Sequence, residues 1–160
     1  MKNIFSVILV LLGNILLYAC NGDENSINLR EENGNIKQEI MQLKIIIGNK
    51  TFLATMFDNS SMQAFIGMLP LTLDMIEFNG NEKYYNPKEN EKLPVQNAKS
   101  GTINAGDLMV WDSDSRSLVL FYKTFESPYK YVRIAKINNP EGLERALGKG
   151  NVQLKFELEQ

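Results

Sequence analysis

From residue 39 onward, apolar and polar positions alternate in short runs separated by turn residues, the period-2 signature of strands with one buried face. Leu71, Leu73 and Met75 alternate with Thr72, Asp74 and Ile76. Pro70 stops a preceding helix, and Asn79-Gly80 offers a positive-φ turn into a second arm through Tyr84 and Tyr85. Met41, Leu43, Ile45 and Ile47 form an earlier strand, turned by Gly48-Asn49-Lys50 into Thr51–Phe57. Asp58 to Ser61 supply capping side chains for a short helix in which Ala64, Phe65, Met68 and Leu69 share a face. Asn86 to Gly101 reads as a long loop. Strand character returns at Thr102-Ile103, Leu108–Trp111, Ser117–Tyr122 and Tyr129–Ile137. Asn139-Pro140-Glu141 opens a second helix that Gly148 ends, and Val152, Leu154, Phe156 and Leu158 alternate strictly with polar residues to the end.

About eight strands joined by connections mostly too short for parallel crossovers predict a mainly β fold. The expected form is a closed antiparallel eight-stranded barrel capped by two short helices, which leaves no exposed sheet edge.

The first 38 residues follow a different pattern. Lys2 precedes an apolar run from Ile4 to Leu17, too short and too interrupted for a membrane span. The run ends in Leu17-Tyr18-Ala19-Cys20, which resembles the bacterial lipobox. The resemblance implies a lipoprotein signal peptide over 1–19 and an acylated Cys20. Asn21 after the cysteine, by resemblance to Gram-negative lipoproteins, implies anchoring at the outer membrane of the cell envelope. Cys20 is the only cysteine, so disulfides are excluded by arithmetic. Residues 20–38 continue as a polar, Asn- and Glu-rich stretch that buries too little apolar surface to order itself, and are read as a flexible tether to the domain at 39–160.

Charge and composition mainly exclude. The chain carries 17 basic and 19 acidic residues without a basic cluster, so nucleic acid is not an expected partner. It has no histidine, which removes Ser-His-Asp and Cys-His nucleophiles and the usual zinc sites. Asp112 and Asp114 sit in DSDSR, where Arg116 takes a ligand position and the glycine and terminal glutamate of a calcium loop are missing. No metal and no cofactor is expected.

The runs IIIGNKTF (45–52), LPLTLDM (69–75), NGNEKYY (79–85), GTINAGDLMVW (101–111), LVLFYKTF (118–125), YVRIAKI (131–137) and NPEGLERALG (139–148) together resemble the bacterial cyclophilin-like domain family. The resemblance covers roughly residues 40 to 158 and implies the same eight-stranded barrel. True cyclophilins isomerise prolyl bonds with a Phe-His-Arg strand motif and a downstream Gln-Gly-Gly segment. Neither is present, and Leu71–Phe78 contains no arginine.

What remains for function is an aromatic and basic set on the later strands: Tyr84, Tyr85, Trp111, Phe121, Tyr122, Tyr129, Tyr131 and Arg133. Tyr84, Tyr85, Trp111, Tyr122, Tyr131 and Arg133 are the candidate ligand-binding residues. Arg133 is also the one candidate catalytic group, since a guanidinium could polarise a prolyl amide. Alternation places it on the face of Tyr131 and Ala135. Its other reading is structural, paired with a carboxylate such as Asp107 or Glu82, with Asp107 itself bonding its own turn backbone. Two functions stay open: a noncatalytic, membrane-tethered module for a peptide or small ligand, and a divergent peptidyl-prolyl isomerase acting on exported proteins.

Overall fold

The computed structural model describes residues 41–159; the expectations for the signal peptide, Cys20 and the tether lie outside the described residues. The described part is mainly β with two short α-helices. Strands β1 (Gln42–Ile47) and β2 (Lys50–Met56) form the first hairpin, and Gly48 at φ 57° takes the left-handed turn that its missing Cβ permits. Helix α1 (Ser60–Ile66) follows, then β3 (Leu71–Phe78) and β4 (Glu82–Tyr85) around Asn79 and Gly80, both at positive φ. Next come β5 (Lys99–Ile103), β6 (Asp107–Trp111), β7 (Leu118–Phe121) and β8 (Phe125–Ile137). Helix α2 (Leu143–Leu147) and β9 (Val152–Leu158) close the chain.

The strands pair in the order β2-β1-β9-β3-β4-β7-β6-β8-β5, each pairing antiparallel, and β2 pairs again with β8. Eight strands therefore follow one another in a ring, and β5, which starts three residues before the predicted Thr102-Ile103 run, adds to β8 as a ninth. Inward side chains fill the ring: Leu43, Ile45 and Ile47 from β1, Leu73 and Met75 from β3, Leu108 and Val110 from β6, Leu118 and Leu120 from β7, Leu154 and Phe156 from β9. Each such side chain contributes roughly 1.5–3 kcal/mol of transfer free energy when fully buried.

Helix α1 packs against this core through Met62 and Phe65. Asn59 caps it by accepting from the Met62 N–H at 3.0 Å, and Phe65 meets Phe156 edge-on with ring centroids 5.5 Å apart. Its buried face is Ser61, Met62 and Phe65, whereas Ala64 points to solvent and Met68 and Leu69 fall beyond the helix end. The buried Ser61 hydroxyl is satisfied by donating to the Pro94 carbonyl at 2.5 Å, which ties the long loop to the helix. Helix α2 is shorter than expected, because Gly142 at φ 77° separates it from the Asn139-Pro140 turn.

Strand β8 runs 13 residues and starts four residues before the predicted boundary, with Pro128 inside it. Pro128 falls between the Gly101–Ser127 and Lys99–Tyr131 pairs, where the register shifts and no ladder N–H is required. A second irregularity follows at Ile134: Leu108 pairs with Ala135 but Met109 pairs with Arg133. The extra residue reverses the alternation. Ala135 consequently packs in the inner core with Ile137, not on the face of Arg133 as simple alternation predicts.

Candidate functional site: an aromatic cleft on the outer sheet face

Strands β7 and β6 are apolar on both faces. Against the inward Leu118 and Leu120 stand the outward Val119 and Phe121, and against Leu108 and Val110 stand Met109 and Trp111. Ile103, Met109, Val119, Phe121 and Tyr131 form a second core outside the ring, with Tyr84, Trp111 and Phe125 packed against it. The aromatic rings meet at steep angles: Phe121 and Tyr131 at 5.4 Å, Trp111 and Tyr129 at 5.9 Å, Phe78 and Tyr84 at 5.8 Å between centroids.

These rings do not seal the face. They wall a cleft of about 520 Å³ lined by Phe78, Tyr84, Trp111, Phe125, Tyr129 and Tyr131, with asparagine and serine side chains and Glu82 completing the lining. A mostly aromatic concavity with few polar groups has the size and make-up of a small-molecule site. Tyr129 is 60% exposed and Phe78 is 49% exposed, an unusual outlay of aromatic surface for a domain with a filled core.

Glu82 is the residue that the sequence pattern passes over as a ligand group. It projects outward on β4 because Lys83 projects inward, and across the ladder it faces Phe78 and Phe121. Burial raises its carboxyl from the ordinary 4.5 to about 7, with repulsion from Glu77 adding to the shift. Burial also raises the Tyr131 phenol to about 12, assisted by the charge of Glu82.

Arg133 is held differently. Its Nη2 donates to Asp107 Oδ2 at 2.8 Å and leans on the Thr102 carbonyl at 3.4 Å, while its guanidinium lies 6.0 Å from the Phe57 ring. Asp107 is fully buried, and the same Oδ2 accepts from the Asn104 N–H at 2.8 Å. Gly106 at φ 90° makes this turn, and a Cβ there would stand 3.0 Å from the Ile137 Cβ. Arg133 lines a neighbouring depression of about 370 Å³, which meets the aromatic cleft at Tyr129 and Tyr131.

Residues 45–157 match the cyclophilin-like family. The chain belongs to that family. No curated protein matches the sequence.

Within this cyclophilin-like domain the six candidate ligand residues separate. Tyr84, Trp111 and Tyr131 come together in the cleft, and Arg133 stands at its edge in the adjoining depression. Tyr85 lies on the opposite face, packed against the inner core with its hydroxyl on Glu91 Oε2 at 2.8 Å. Tyr122 also belongs to the inner core and donates to Glu77 Oε1 at 2.8 Å. The Glu77 carboxylate is shared with Lys83, whose fully buried Nζ donates to it and to the carbonyls of Gly148 and Gly150 at 2.9 and 2.7 Å. That network anchors the loop before β9 and does not reach the cleft. Among the described residues, no three His, Cys, Asp or Glu side chains gather closely enough to hold a metal ion.

Proposed function

We propose that the chain is a noncatalytic cyclophilin-like binding module whose aromatic cleft takes a small ligand or the apolar side chains of a peptide. The observation that carries the proposal is the set of rings on β4, β6 and β8 that line a cleft outside the inner core. The ring of eight strands is read with it as a closed barrel, which gives the outer face a rigid floor.

The noncatalytic part rests on Arg133. A prolyl isomerase must stabilise a twisted amide more than the planar one, and a guanidinium committed to Asp107 is poorly placed for that work. A coupled isomerisation assay on a proline tetrapeptide tests it, comparing the full chain with Arg133→Ala and confirming folding by circular dichroism. Background rates in both are expected. Robust turnover lost on substitution would install the divergent isomerase instead.

The module is further proposed to sit at the outer membrane through lipid on Cys20, with 21–38 as its tether. This part is supported by the lipobox-like Leu17–Cys20. Two or more acyl chains anchor stably where one does not. Labelled fatty acid should enter the wild type and not Cys20→Ser, whose release from membranes would follow.

A further inference from the structure

We infer that the cleft selects a ligand bearing an ammonium group, with Glu82 as the counter-charge and Tyr84, Trp111, Tyr129 and Tyr131 as the surrounding rings. This rests on the reading of the cleft as a ligand site and names the chemistry of the occupant.

Charge complementarity carries the inference. Among the described residues, Glu82 is the only charged one lining the cleft, and no lysine or arginine shares the lining. Among the described residues it makes no salt bridge and no side-chain hydrogen bond, whereas Glu77 next along the hairpin is tied to Lys83 and Tyr122. Half-buried among aromatic side chains, this carboxylate loses part of its solvation and gains no partner from the protein in return. The groups facing it do not relieve it. Glu77 from β3 repels it, Tyr131 from β8 is uncharged, Tyr122 after β7 is turned to Glu77, and Lys83 on its own strand points to the other face.

An ammonium ligand supplies what is missing. The negative faces of tyrosine and tryptophan attract a cation, most effectively where water is excluded, and the carboxylate neutralises it. An anionic ligand would meet Glu82 with no cationic side chain in the lining to offset it. A neutral polar ligand could donate a hydrogen bond to the carboxylate but would leave its charge uncompensated, and the asparagines and serines of the lining already supply neutral hydrogen-bonding groups.

A cation also favours the ionised form of Glu82, so binding should strengthen as pH rises through about 7. Glu77 stays ionised across this range because its carboxyl is held below the ordinary value. Tyr122 and Tyr131 stay protonated because theirs are raised.

Trp111 is the single tryptophan of the sequence and stands in the cleft, so its fluorescence reports occupancy directly. The probes are choline and its uncharged isostere 3,3-dimethylbutan-1-ol, titrated into the full chain at pH 5.5 and 8.5, for wild type and Glu82→Gln. Choline is expected to bind roughly tenfold tighter than the isostere at pH 8.5, to lose about that factor at pH 5.5, and to lose it in Glu82→Gln at either pH. Equal binding of the two probes, unchanged by Glu82→Gln, would overturn the ammonium assignment and leave the cleft a site for neutral ligands. Binding of neither by a folded protein would overturn the assignment and the ligand-site reading together.

Discussion

Arg133 Nη2 reaches Asp107 Oδ2 at 2.8 Å, joining a side chain 33% exposed on β8 to a carboxylate with no exposure at the start of β6. The bond crosses the point where β8 carries its extra residue. It holds the outward Arg133 against the turn that begins β6, and so fixes the edge of the aromatic cleft.

Removing either partner leaves the other poorly compensated, and the cost falls hardest on the buried acid. Arg133→Ala should destabilise the domain by about 3 kcal/mol, and Asp107→Ala by a similar amount, because it also frees the Asn104 N–H. The double variant should cost clearly less than the sum. Urea denaturation of the four proteins measures this, and strict additivity would mean that the pair is not coupled.

The Lys83–Glu77 pair sets an acid limit. Burial alone would raise the Glu77 carboxyl, but hydrogen bonds from Lys83 and Tyr122 outweigh it and hold the pKa below 4.5. A depressed carboxyl stabilises the fold above its unfolded value, and that stabilisation is lost as pH falls through the folded value. Melting temperature should therefore drop below about pH 4.5 in wild type, and the drop should flatten in Glu77→Gln.

Glu82 works in the opposite sense. Its carboxyl is raised to about 7, so the folded state holds a proton that the unfolded chain releases near 4.5, and stability declines as pH rises between the two. Glu82→Gln should melt higher than wild type at pH 8 and nearly the same at pH 4. A binding residue that costs the free protein stability has this signature, and a solvated surface glutamate does not.

Leu73 and Phe156 face inward on β3 and β9, at 6% and 0% exposure. An aspartate at either position places an uncompensated charge in the inner core, and each variant should lose its cooperative thermal transition. Phe156→Ala should fold with a loss of about 3–5 kcal/mol. A cooperative melt for both aspartates would contradict the inward register.

The strands with one wet face were legible from their residues. Val152 to Leu158 alternates because Gln153, Lys155 and Glu157 meet water, and both its bounds and its buried pair Leu154 and Phe156 follow from that. Leu118–Phe121 and Asp107–Trp111 are buried on both faces, so period 2 disappears and which aromatics point outward cannot be read from them. The extra residue at Ile134 leaves no mark in the residue pattern, so simple alternation puts Ala135 on the wrong face. For Arg133 the sequence leaves two carboxylate partners open, Asp107 and Glu82, and the fold brings it to Asp107. Glu82 enters the sequence reading only as a possible partner of Arg133, and it is the folding of β8 across the outer face that puts Tyr131 and Tyr129 in one cleft with it.

The most direct test of the central claim is the fluorescence of Trp111 while small aromatic compounds, ammonium-bearing and neutral, are titrated into the wild type and into Tyr129→Ala. Tyr129 stands 5.9 Å from the indole between ring centroids and is largely exposed, so its removal should leave the melting temperature nearly unchanged. The expected result is a saturable change in wild type that weakens at least about fivefold in the variant, since an aromatic contact is worth roughly 1 kcal/mol or more in such a site. Saturation unaffected by Tyr129→Ala, or no saturable change with any compound, would contradict the cleft as the site of function.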